Sequence, residues 1–303
     1  MRVLAIGECM AELAPAEVPG NYSLAFAGDT FNTAWYLARL RPDMAVSFQT
    51  AIGTDAISRQ LREAVAGCGI GTDHIRTVPD RTVGLYLITL TDGERSFSYW
   101  RDHSAARLLA DDAAALAHAM EEADLVYFSG ITLAILAPAA RKTLLDALRT
   151  ARAAGKRIAF DPNLRPRLWS DMGEMTETIM QGAAICDIAL PSFEDEARWF
   201  DDADPEATTD RYVAAGAETV VVKNGSDPVH YRQGDAQGAY PVPPLSSVID
   251  TTAAGDSFNA AILAGIADDS PMEASIARAC RLAGQVVQGR GALVPVDPAR
   301  VDG

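Results

Sequence analysis

A turn of small residues that leads into a helix is the feature of this sequence that most directly suggests chemistry. The segment 249–260, Ile-Asp-Thr-Thr-Ala-Ala-Gly-Asp-Ser-Phe-Asn-Ala, passes from apolar to small residues and then into a helical pattern over 254–267. Such a turn lets a phosphate approach the unpaired backbone N–H groups at the positive end of the helix. The sequence therefore predicts an anion site at the amides of Ala253, Ala254, Gly255 and Asp256.

Asp256 lies in the first turn of the predicted helix, where the helix dipole stabilises a carboxylate. The same position is where an incoming phosphate would bind. An anion site beside a base suggests phosphoryl transfer to a hydroxyl, in which Asp256 accepts the proton and the amides of residues 253–256 neutralise the moving phosphoryl group. A first-turn helix acid without a catalytic role is the alternative interpretation.

The elements that must position these residues alternate along the chain. Short apolar segments, rich in valine and isoleucine overall, predict strands at 3–6, 46–52, 125–129, 157–160, 188–190 and 220–223. Helical patterns occur at 32–40, 57–68, 139–154, 175–185, 193–200, 254–267 and 272–289. This alternation predicts one α/β domain over residues 1–303, with a mainly parallel sheet covered on both faces.

Two segments, about 9–26 and about 75–101, interrupt the alternation. Residues 82–89 and 95–99 have the character of hairpin strands around Thr91-Asp92-Gly93, because an Asp-Gly pair is a strong signal for a tight turn. We expect the two segments to form a small sheet that acts as a lid over the carboxyl edge of the main sheet.

The composition excludes several classes of protein. Hydrophobic residues make up 49% and charged residues 22% of the 303 residues, as in ordinary globular proteins. The net charge of −15 argues against sequence-independent nucleic-acid binding, which relies on Lys and Arg. An anionic substrate would therefore need a local cluster of basic residues.

The cysteines and the N-terminus indicate a cytoplasmic protein. Cys9, Cys68, Cys186 and Cys280 are scattered, with no C-x-x-C pair and no metal-ligand spacing, which is typical of reduced thiols. The first apolar run, 3–6, is too short for a signal peptide. No apolar stretch of 18 residues is present, so the sequence predicts no membrane span.

The segment from Asp250 to Asp256 resembles the Asp-Thr-x-Gly-Ala-Gly-Asp signature of the ribokinase (PfkB-type) family of sugar kinases. Ala253 departs from the first glycine of that signature, which costs backbone freedom if φ must be positive but keeps the turn small. The resemblance implies a ribokinase-like three-layer αβα domain with a β-sheet lid, and ATP and Mg²⁺ as cofactors. It leaves a monovalent-cation requirement open. We also expect a homo-oligomer that associates through the lid.

Gly28 opens a turn into the helix predicted at 32–40. In the family, the corresponding glycine backbone and asparagine side chain hydrogen-bond sugar hydroxyls, so the resemblance assigns Gly28 and Asn32 to the sugar. Asp29 is a neighbouring candidate. Taken alone, the segment also fits an Asp or Thr N-cap with Asn32 inside the first helical turn.

The resemblance also assigns a nucleotide side. Lys223 and Gly225 match the strand-end loop that lies beside the nucleotide in the family. Gly255, within the signature, and Asn259, three residues after its end, are also assigned to the nucleotide. Taken alone, residues 222–225 also fit a plain strand-to-turn ending.

Residues 190–196 occupy the place of the family's Asn-x-x-Glu, which helps to organise Mg²⁺ and phosphate. Ser192 and Asp195 take the two polar positions, so Ser192 is assigned to the nucleotide and Asp195 to Mg²⁺ through water. Glu196 is the alternative to Asp195. An acidic, solvated helix start without a ligand is the other interpretation.

Four further residues suggest which sugar binds. Tyr86, Tyr99 and Arg101 lie on the predicted lid hairpin, and Arg165 follows a predicted strand. Tyr99 and Arg101 are two positions apart, so on a strand they face the same side. An arginine fork matches a carboxylate and a tyrosine hydroxyl adds a donor, which favours an acidic sugar. A neutral ketose would leave two buried guanidiniums without an anion.

Several segments also resemble the 2-keto-3-deoxygluconate kinase branch of the family. They are 7–10, 28–34, 99–101, 129–134, 161–165 and the Thr252-Ala253-Ala254 variant of the signature. The resemblance extends from residue 1 to about residue 290. It implies transfer of the γ-phosphoryl group of ATP to the primary hydroxyl of a 2-keto-3-deoxy sugar acid, with Asp256 as general base.

Other enzyme classes lack their motifs here. The first predicted strand is followed by Gly7-Glu8-Cys9-Met10, without the G-x-G-x-x-G of a nicotinamide dehydrogenase. The chain's one Gly-Lys pair, at Gly155, is followed by arginine and forms no P-loop. The four histidines are dispersed and suggest neither a metal cluster nor a triad.

Two alternatives stay open beside the sugar-acid kinase. One is a kinase of a neutral sugar such as fructose or ribose. The other is a non-catalytic sugar-binding regulator on the same fold, since fold does not fix function. Asp256 argues against the regulator, because sensing alone needs no acid at that turn.

Overall fold

The apolar segments of the sequence pair side by side as the strands of one large sheet. The computed structural model describes residues 1–16, 18, 20–91 and 94–302. Its strands are β1 (Arg2–Ile6), β2 (Met10–Pro15), β3 (Tyr22–Ala27), β4 (Ala45–Ile52), β5 (Ile75–Thr77), β6 (Leu85–Thr91), β7 (Glu94–Trp100), β8 (Leu125–Ser129), β9 (Arg157–Asp161), β10 (Ile188–Ala189), β11 (Thr219–Val222), β12 (Val229–Gln233) and β13 (Ala236–Tyr240). The large sheet has the order β13-β12-β11-β10-β9-β8-β1-β4-β5. Neighbours from β11 to β5 are parallel, whereas β12 and β13 are antiparallel at one edge.

Helices cover both faces of the large sheet. They are α1 (Asp29–Leu40), α2 (Ala56–Gly67), α3 (Ala113–Glu122), α4 (Gly130–Ile135), α5 (Pro138–Ala153), α6 (Met172–Ala183), α7 (Phe193–Phe200), α8 (Pro205–Ala215), α9 (Ala254–Ala267), α10 (Met272–Val286) and α11 (Pro298–Asp302). Side chains alternate along β1, so Val3 and Ala5 pack with α1, α2, α9 and α10 on one face. Leu4 and Ile6 pack with α3 to α6 and α8 on the other. The predicted α/β class with a covered, mainly parallel sheet is confirmed.

Parallel strands bring their carboxyl ends to one edge of the sheet. At this edge β1 is followed by Glu8, β9 ends in Asp161, and β11 is followed by Lys223. Polar residues from segments far apart in sequence therefore meet where ligands bind in open α/β sheets.

A second, smaller sheet has the strand order β3-β2-β6-β7 and forms the lid. Because β2 begins at Met10, shortly after β1 ends, the lid is attached at the carboxyl edge of the large sheet. The second lid segment begins at Leu85, later than the expected residue 75, because β5 pairs with β4 in the large sheet. The expected turn residues Asp92 and Gly93 lie outside the described residues.

The two faces of the lid have different surroundings. On the inner face, Tyr86 and Ile88 pack against Ala292 and the partly buried Ala253. The outer face carries large apolar side chains that are exposed. We call the surface formed by Tyr22, Leu24 and Trp100 the lid outer face.

All four cysteines are free thiols. Among the described residues, no helix is long and apolar enough to cross a membrane.

Candidate active site

The site is built around the N-terminus of α9. Ala253 precedes the helix with φ 59° and ψ 14°, a left-handed conformation that L-residues adopt at a cost. The Ala254 amide donates to the carbonyl of Thr251 at 3.2 Å, which closes the turn. In the described chain, the amides of Gly255 and Asp256 have no backbone acceptor. The expected anion site would therefore use the amides of Gly255 and Asp256, because the Ala254 amide is already engaged.

Glycine keeps the space in front of those amides open. A Cβ atom added at Gly255 would meet only the Lys223 side chain, with Nζ at 3.9 Å. The ammonium group thus faces the same space as the free amides. This arrangement suits a phosphate, because helix N-termini and fixed cations both stabilise anions.

Asp256 is held by the N-terminus of α1. Asn32 Nδ2 donates to Asp256 Oδ2 at 2.8 Å, and the amide of Gly28 donates to Asn32 Oδ1 at 3.2 Å. Thr33 adds a hydrogen bond of 3.1 Å from its hydroxyl to the carbonyl of Asp256. The structure therefore brings together Gly28, Asn32 and Asp256, which the sequence assigns to the sugar side.

The surroundings of Asp256 suit a base. Its pKa is raised to about 7, mainly by burial and also by the charges of the Asp29 and Asp161 carboxylates, whereas the Asn32 hydrogen bond and the Lys223 charge lower it. A base works best when its pKa lies near the operating pH. The carboxylate can thus be ionised and still basic near neutral pH.

Lys223 is fixed by two partners from other elements. Its Nζ lies 3.3 Å from Asp161 Oδ2 and donates to Asn259 Oδ1 at 3.0 Å. Asn259 Nδ2 in turn donates to Asp161 Oδ2 at 2.7 Å and to the Tyr127 hydroxyl at 3.2 Å. Asn259 is fully buried, with both ends of its amide engaged by protein atoms. This corrects the expectation that Asn259 contacts the nucleotide, since it supports Lys223 instead.

The turn after β9 holds two polar groups in place. The Asn163 amide donates to Asp161 Oδ1 at 3.2 Å, and Asn163 Nδ2 donates to Asp29 Oδ2 at 2.8 Å. Asn163 has φ 36°, a conformation uncommon for residues other than glycine and frequent at functional sites. Burial raises the pKa of Asp29, against hydrogen bonds that include those from Ser129 and Asn163. The turn therefore links Asp29 on α1 to Asp161 at the sheet edge.

Arg101 and Arg165 differ from the expectation of two buried arginines without an anionic partner. Arg101 Nη2 donates to Glu8 Oε2 in a pair that is almost fully buried, so the guanidinium already has an anion. Arg165 is half-exposed, and its Nη1 lies 3.9 Å from Asp195 Oδ2. The premise of two buried guanidiniums without an anion is therefore wrong. An acidic sugar is compatible with this geometry, but it is not required to neutralise the arginines.

The tyrosines lie on the inner face of the lid. Tyr86 is buried and donates its hydroxyl to Glu12 Oε2, while Tyr99 is half-exposed. Their rings lie 5.9 Å apart as a cross-strand pair. Tyr99 therefore keeps an accessible surface on the inner face of the lid, whereas the Tyr86 hydroxyl is engaged by the protein.

The Ser192 segment lies beside Lys223. The Phe193 amide donates to the Lys223 carbonyl at 2.8 Å, next to an isolated bridge between Ser192 and Lys223. Asp195 faces Arg165, and burial raises its pKa while the Arg165 charge lowers it. Gly225, in the following turn, has φ 59°, which glycine adopts without strain.

Glu196 is not available for a metal. It is fully buried, accepts from Arg211 Nη2 at 2.7 Å and accepts from the Tyr212 hydroxyl at 3.0 Å. This corrects the alternative that Glu196 replaces Asp195, because Glu196 joins α7 to α8 instead. Within the described chain, no group of three or more His, Cys, Asp and Glu side chains is placed to hold a metal directly.

Sequence reasoning missed Asp161, Asn163, Tyr127 and Glu8 as parts of this network. Two of them had a usable signal, since Asp161 ends a buried apolar strand and Asn163 follows it in an Asp-Pro-Asn turn. Tyr127 had none, because a tyrosine inside an apolar strand looks like an ordinary core residue.

Comparison with known proteins points to one family. The sequence model of a protein family described as pfkB family carbohydrate kinase matches residues 1–299. The 2-dehydro-3-deoxygluconokinase of Escherichia coli (strain K12) is 39% identical over 303 residues, covering 97% of each chain. The enzyme of the same name from Dickeya dadantii (strain 3937) is 38% identical, covering 96% of each. The crystal structure of a fructokinase with bound ATP from Xylella fastidiosa superposes with a TM-score of 0.81 at 24% identity, covering 96% of this chain and 94% of that one.

Proposed function

Because this chain belongs to the PfkB family of carbohydrate kinases, phosphotransferases that act on a sugar hydroxyl, we propose that it phosphorylates the primary hydroxyl of 2-keto-3-deoxygluconate with ATP. The observation that carries the reaction is the Asp256 carboxylate, held by Asn32 at 2.8 Å beside the free amides of α9. The choice of sugar is supported by the two relatives named 2-dehydro-3-deoxygluconokinase, at 39% and 38% identity.

Asp256 takes the proton of the sugar hydroxyl as its oxygen bonds to the γ-phosphorus. The bond from the γ-phosphorus to the bridging oxygen breaks at the same centre, and ADP leaves with that electron pair. The amides of Gly255 and Asp256 and the Lys223 ammonium face the space where the moving phosphoryl group would lie. Fixed donors of this kind stabilise charge as it develops.

The sugar is held by Gly28 and Asn32 on one side and by the inner face of the lid on the other. Tyr99 presents half of its surface there, and Arg165 is exposed enough to meet a substrate carboxylate. An arginine fork binds a carboxylate through two charge-assisted hydrogen bonds. Arg165 is therefore the better candidate for the acid group, since Arg101 is paired with Glu8.

The nucleotide side consists of Ser192, Lys223 and Gly225. Asp195 is the candidate carboxylate here, and within the described residues it belongs to no group of three or more His, Cys, Asp and Glu side chains that could hold a metal directly, which fits Mg²⁺ held through water and through the phosphates. Mg²⁺ when bound supplies neutralisation of phosphate charge. The family resemblance leaves a monovalent-cation requirement open.

A screen of ADP release over sugar acids and neutral sugars tests the proposal. We expect turnover with 2-keto-3-deoxygluconate and little turnover with fructose or ribose. Good turnover with fructose or ribose and none with any sugar acid would instead support the neutral-sugar kinase. Binding without turnover for every sugar would support the non-catalytic regulator.

We also propose that a second copy of the chain covers the outer face of the lid. Tyr22, Leu24 and Trp100 are 51%, 44% and 59% exposed on this small sheet. Large apolar side chains exposed together on one face are typical of an interaction surface.

A further inference from the structure

Lys223 is one of only three lysines in the chain, and its environment is unlike that of a surface lysine. Lys142 is 77% exposed, whereas the Lys223 side chain is 11% exposed at the carboxyl edge of the large sheet. A lysine side chain has four flexible torsions and loses that freedom when buried. Something in the site must therefore hold it in one orientation.

Asp161 is the charged group that does so. Its Oδ2 lies 3.3 Å from Lys223 Nζ and accepts from Asn259 Nδ2, while its Oδ1 accepts from the Asn163 amide. The residue is 3% exposed, and every one of these contacts is with protein atoms. Asp161 therefore has no surface to offer a substrate, and its effect must pass through its neighbours.

We propose that Asp161 is the positioning residue that aims the Lys223 ammonium at the phosphoryl group beside Gly255. The proposal rests on the proposed kinase function and adds a residue to it. Asn259 completes the support, because it bridges Lys223 and Asp161 from α9. The anion site is thereby built from two parts that meet at one place: amides from a helix end and a cation fixed from the strand edge.

The same carboxylate is part of the charge balance around the base. The charges of Asp29, Asp161 and Lys223 shift the pKa of Asp256. The Asp256 charge in turn helps to raise the pKa of the Tyr36 and Tyr127 hydroxyls. The Asp161 charge raises the pKa of Asp256, and the Lys223 charge lowers it. Removing the Asp161 charge should therefore move the titration of Asp256 to lower pH.

A double-mutant cycle with Asp161→Asn, Lys223→Met and the double variant tests the proposal. An asparagine at this position would turn a donor toward Lys223 or Asn259, so the ammonium loses its fixed orientation. We expect Asp161→Asn to lower kcat roughly 10- to 150-fold, the range for loss of a charge-assisted hydrogen bond. In the Lys223→Met background the same substitution should cost less than about three-fold, since coupled residues are not additive.

The pH profile separates positioning from a structural role. The acid limb of kcat/KM should lie at lower pH in Asp161→Asn than in wild type. Asp187→Asn is the matched control, because Asp187 likewise pairs with a cationic side chain, that of Arg152, and accepts from a backbone amide, at the opposite end of the sheet. We expect Asp187→Asn to keep the wild-type limb and kcat. Asp161→Ser replaces the Asn variant in the cycle if circular dichroism shows that the latter does not fold.

Equal losses in both backgrounds, or an unchanged acid limb, would overturn the proposal. Wild-type turnover decides the proposed function separately. If wild type uses a neutral sugar and no sugar acid, the substrate assignment fails, and the cycle is run with that sugar and still tests the role of Asp161.

Discussion

At the scale of single residues, the site concentrates three carboxylates around one ammonium group. Asp29, Asp161 and Asp256 come from three different elements, and Lys223 is the cation among them. Such crowding is costly for stability, because buried carboxylates disfavour their ionised form. The same crowding keeps Asp256 basic, which is what a general base needs.

The raised pKa of Asp256 predicts a pH dependence of the reaction. Below about pH 7 the carboxylate is increasingly protonated and cannot accept the hydroxyl proton, so kcat/KM for the sugar should fall with an acid limb near 7. Asp29→Asn removes a neighbouring negative charge and should move the limb to lower pH. A profile that stays flat from pH 5 to 8 in wild type, measured by ADP release, would speak against Asp256 as the base.

Arg165→Ala should impair the use of a sugar acid selectively. Loss of a charge-assisted hydrogen bond costs about 1.5–3 kcal/mol, so kcat/KM for the sugar acid should fall roughly 10- to 150-fold. KM for ATP should hardly change. Arg167→Ala is the matched control, because Arg167 is exposed in the neighbouring 3₁₀ turn. Equal damage to the sugar and ATP constants would show that Arg165 supports the fold instead.

Arg101 gives a less direct test of the same idea. Truncating it would leave Glu8 as an uncompensated buried charge, which typically costs about 3–5 kcal/mol of stability. Any loss of activity in that variant would mix binding with unfolding. Arg165 is therefore the residue on which the acidic substrate should be judged.

At the scale of elements, the turn before α9 stores backbone strain. Ala253 adopts φ 59°, which costs an L-residue about 1–2 kcal/mol. Glycine would remove this cost, but its greater freedom in the unfolded chain offsets part of the gain in stability. We expect Ala253→Gly to raise the free energy of unfolding by up to about 1 kcal/mol. Urea titration measures this change.

Ala254→Gly is the control for that turn. Ala254 is the first residue of α9 and gains nothing from positive φ, so glycine there should destabilise by about 0.5–1 kcal/mol. If both substitutions destabilise equally, the left-handed conformation of Ala253 contributes no strain.

Hydrophobic patterns predicted the elements that carry strong periodicity. The bounds of α7 and α9 agree with the prediction at both ends, and those of β8 do as well. The helix predicted at 272–289 ends earlier, at Val286. Local signals are sufficient in such segments because burial and propensity agree.

Other elements could not be predicted locally. Helix α8 has a weakly amphipathic sequence, and β13 is largely exposed at the sheet edge, so neither has the clear apolar period of a core element. The contacts of Arg101 and Glu196 also escaped prediction. Their partners, Glu8 and Arg211, are chosen by three-dimensional packing across 93 and 15 positions of sequence.

At the scale of the whole molecule, the lid outer face predicts self-association. Trp100→Glu places a charge on that face and should shift the protein toward monomer in sedimentation velocity. Val248→Glu is the matched control, since both side chains are 59% exposed and Val248 lies outside the lid. A wild-type monomer at micromolar concentration, or equal effects of the two variants, would contradict association through the lid.

The most direct measurement is single-turnover phosphoryl transfer from ATP to 2-keto-3-deoxygluconate, compared between wild type and Asp256→Asn at pH 7.5. The asparagine keeps the size of the side chain and loses its basicity. We expect rapid transfer by wild type, a rate lower by roughly 10²–10⁴-fold in the variant, and similar dissociation constants for the sugar in both. No transfer to this sugar by wild type, or a variant rate within ten-fold of wild type, would contradict the account.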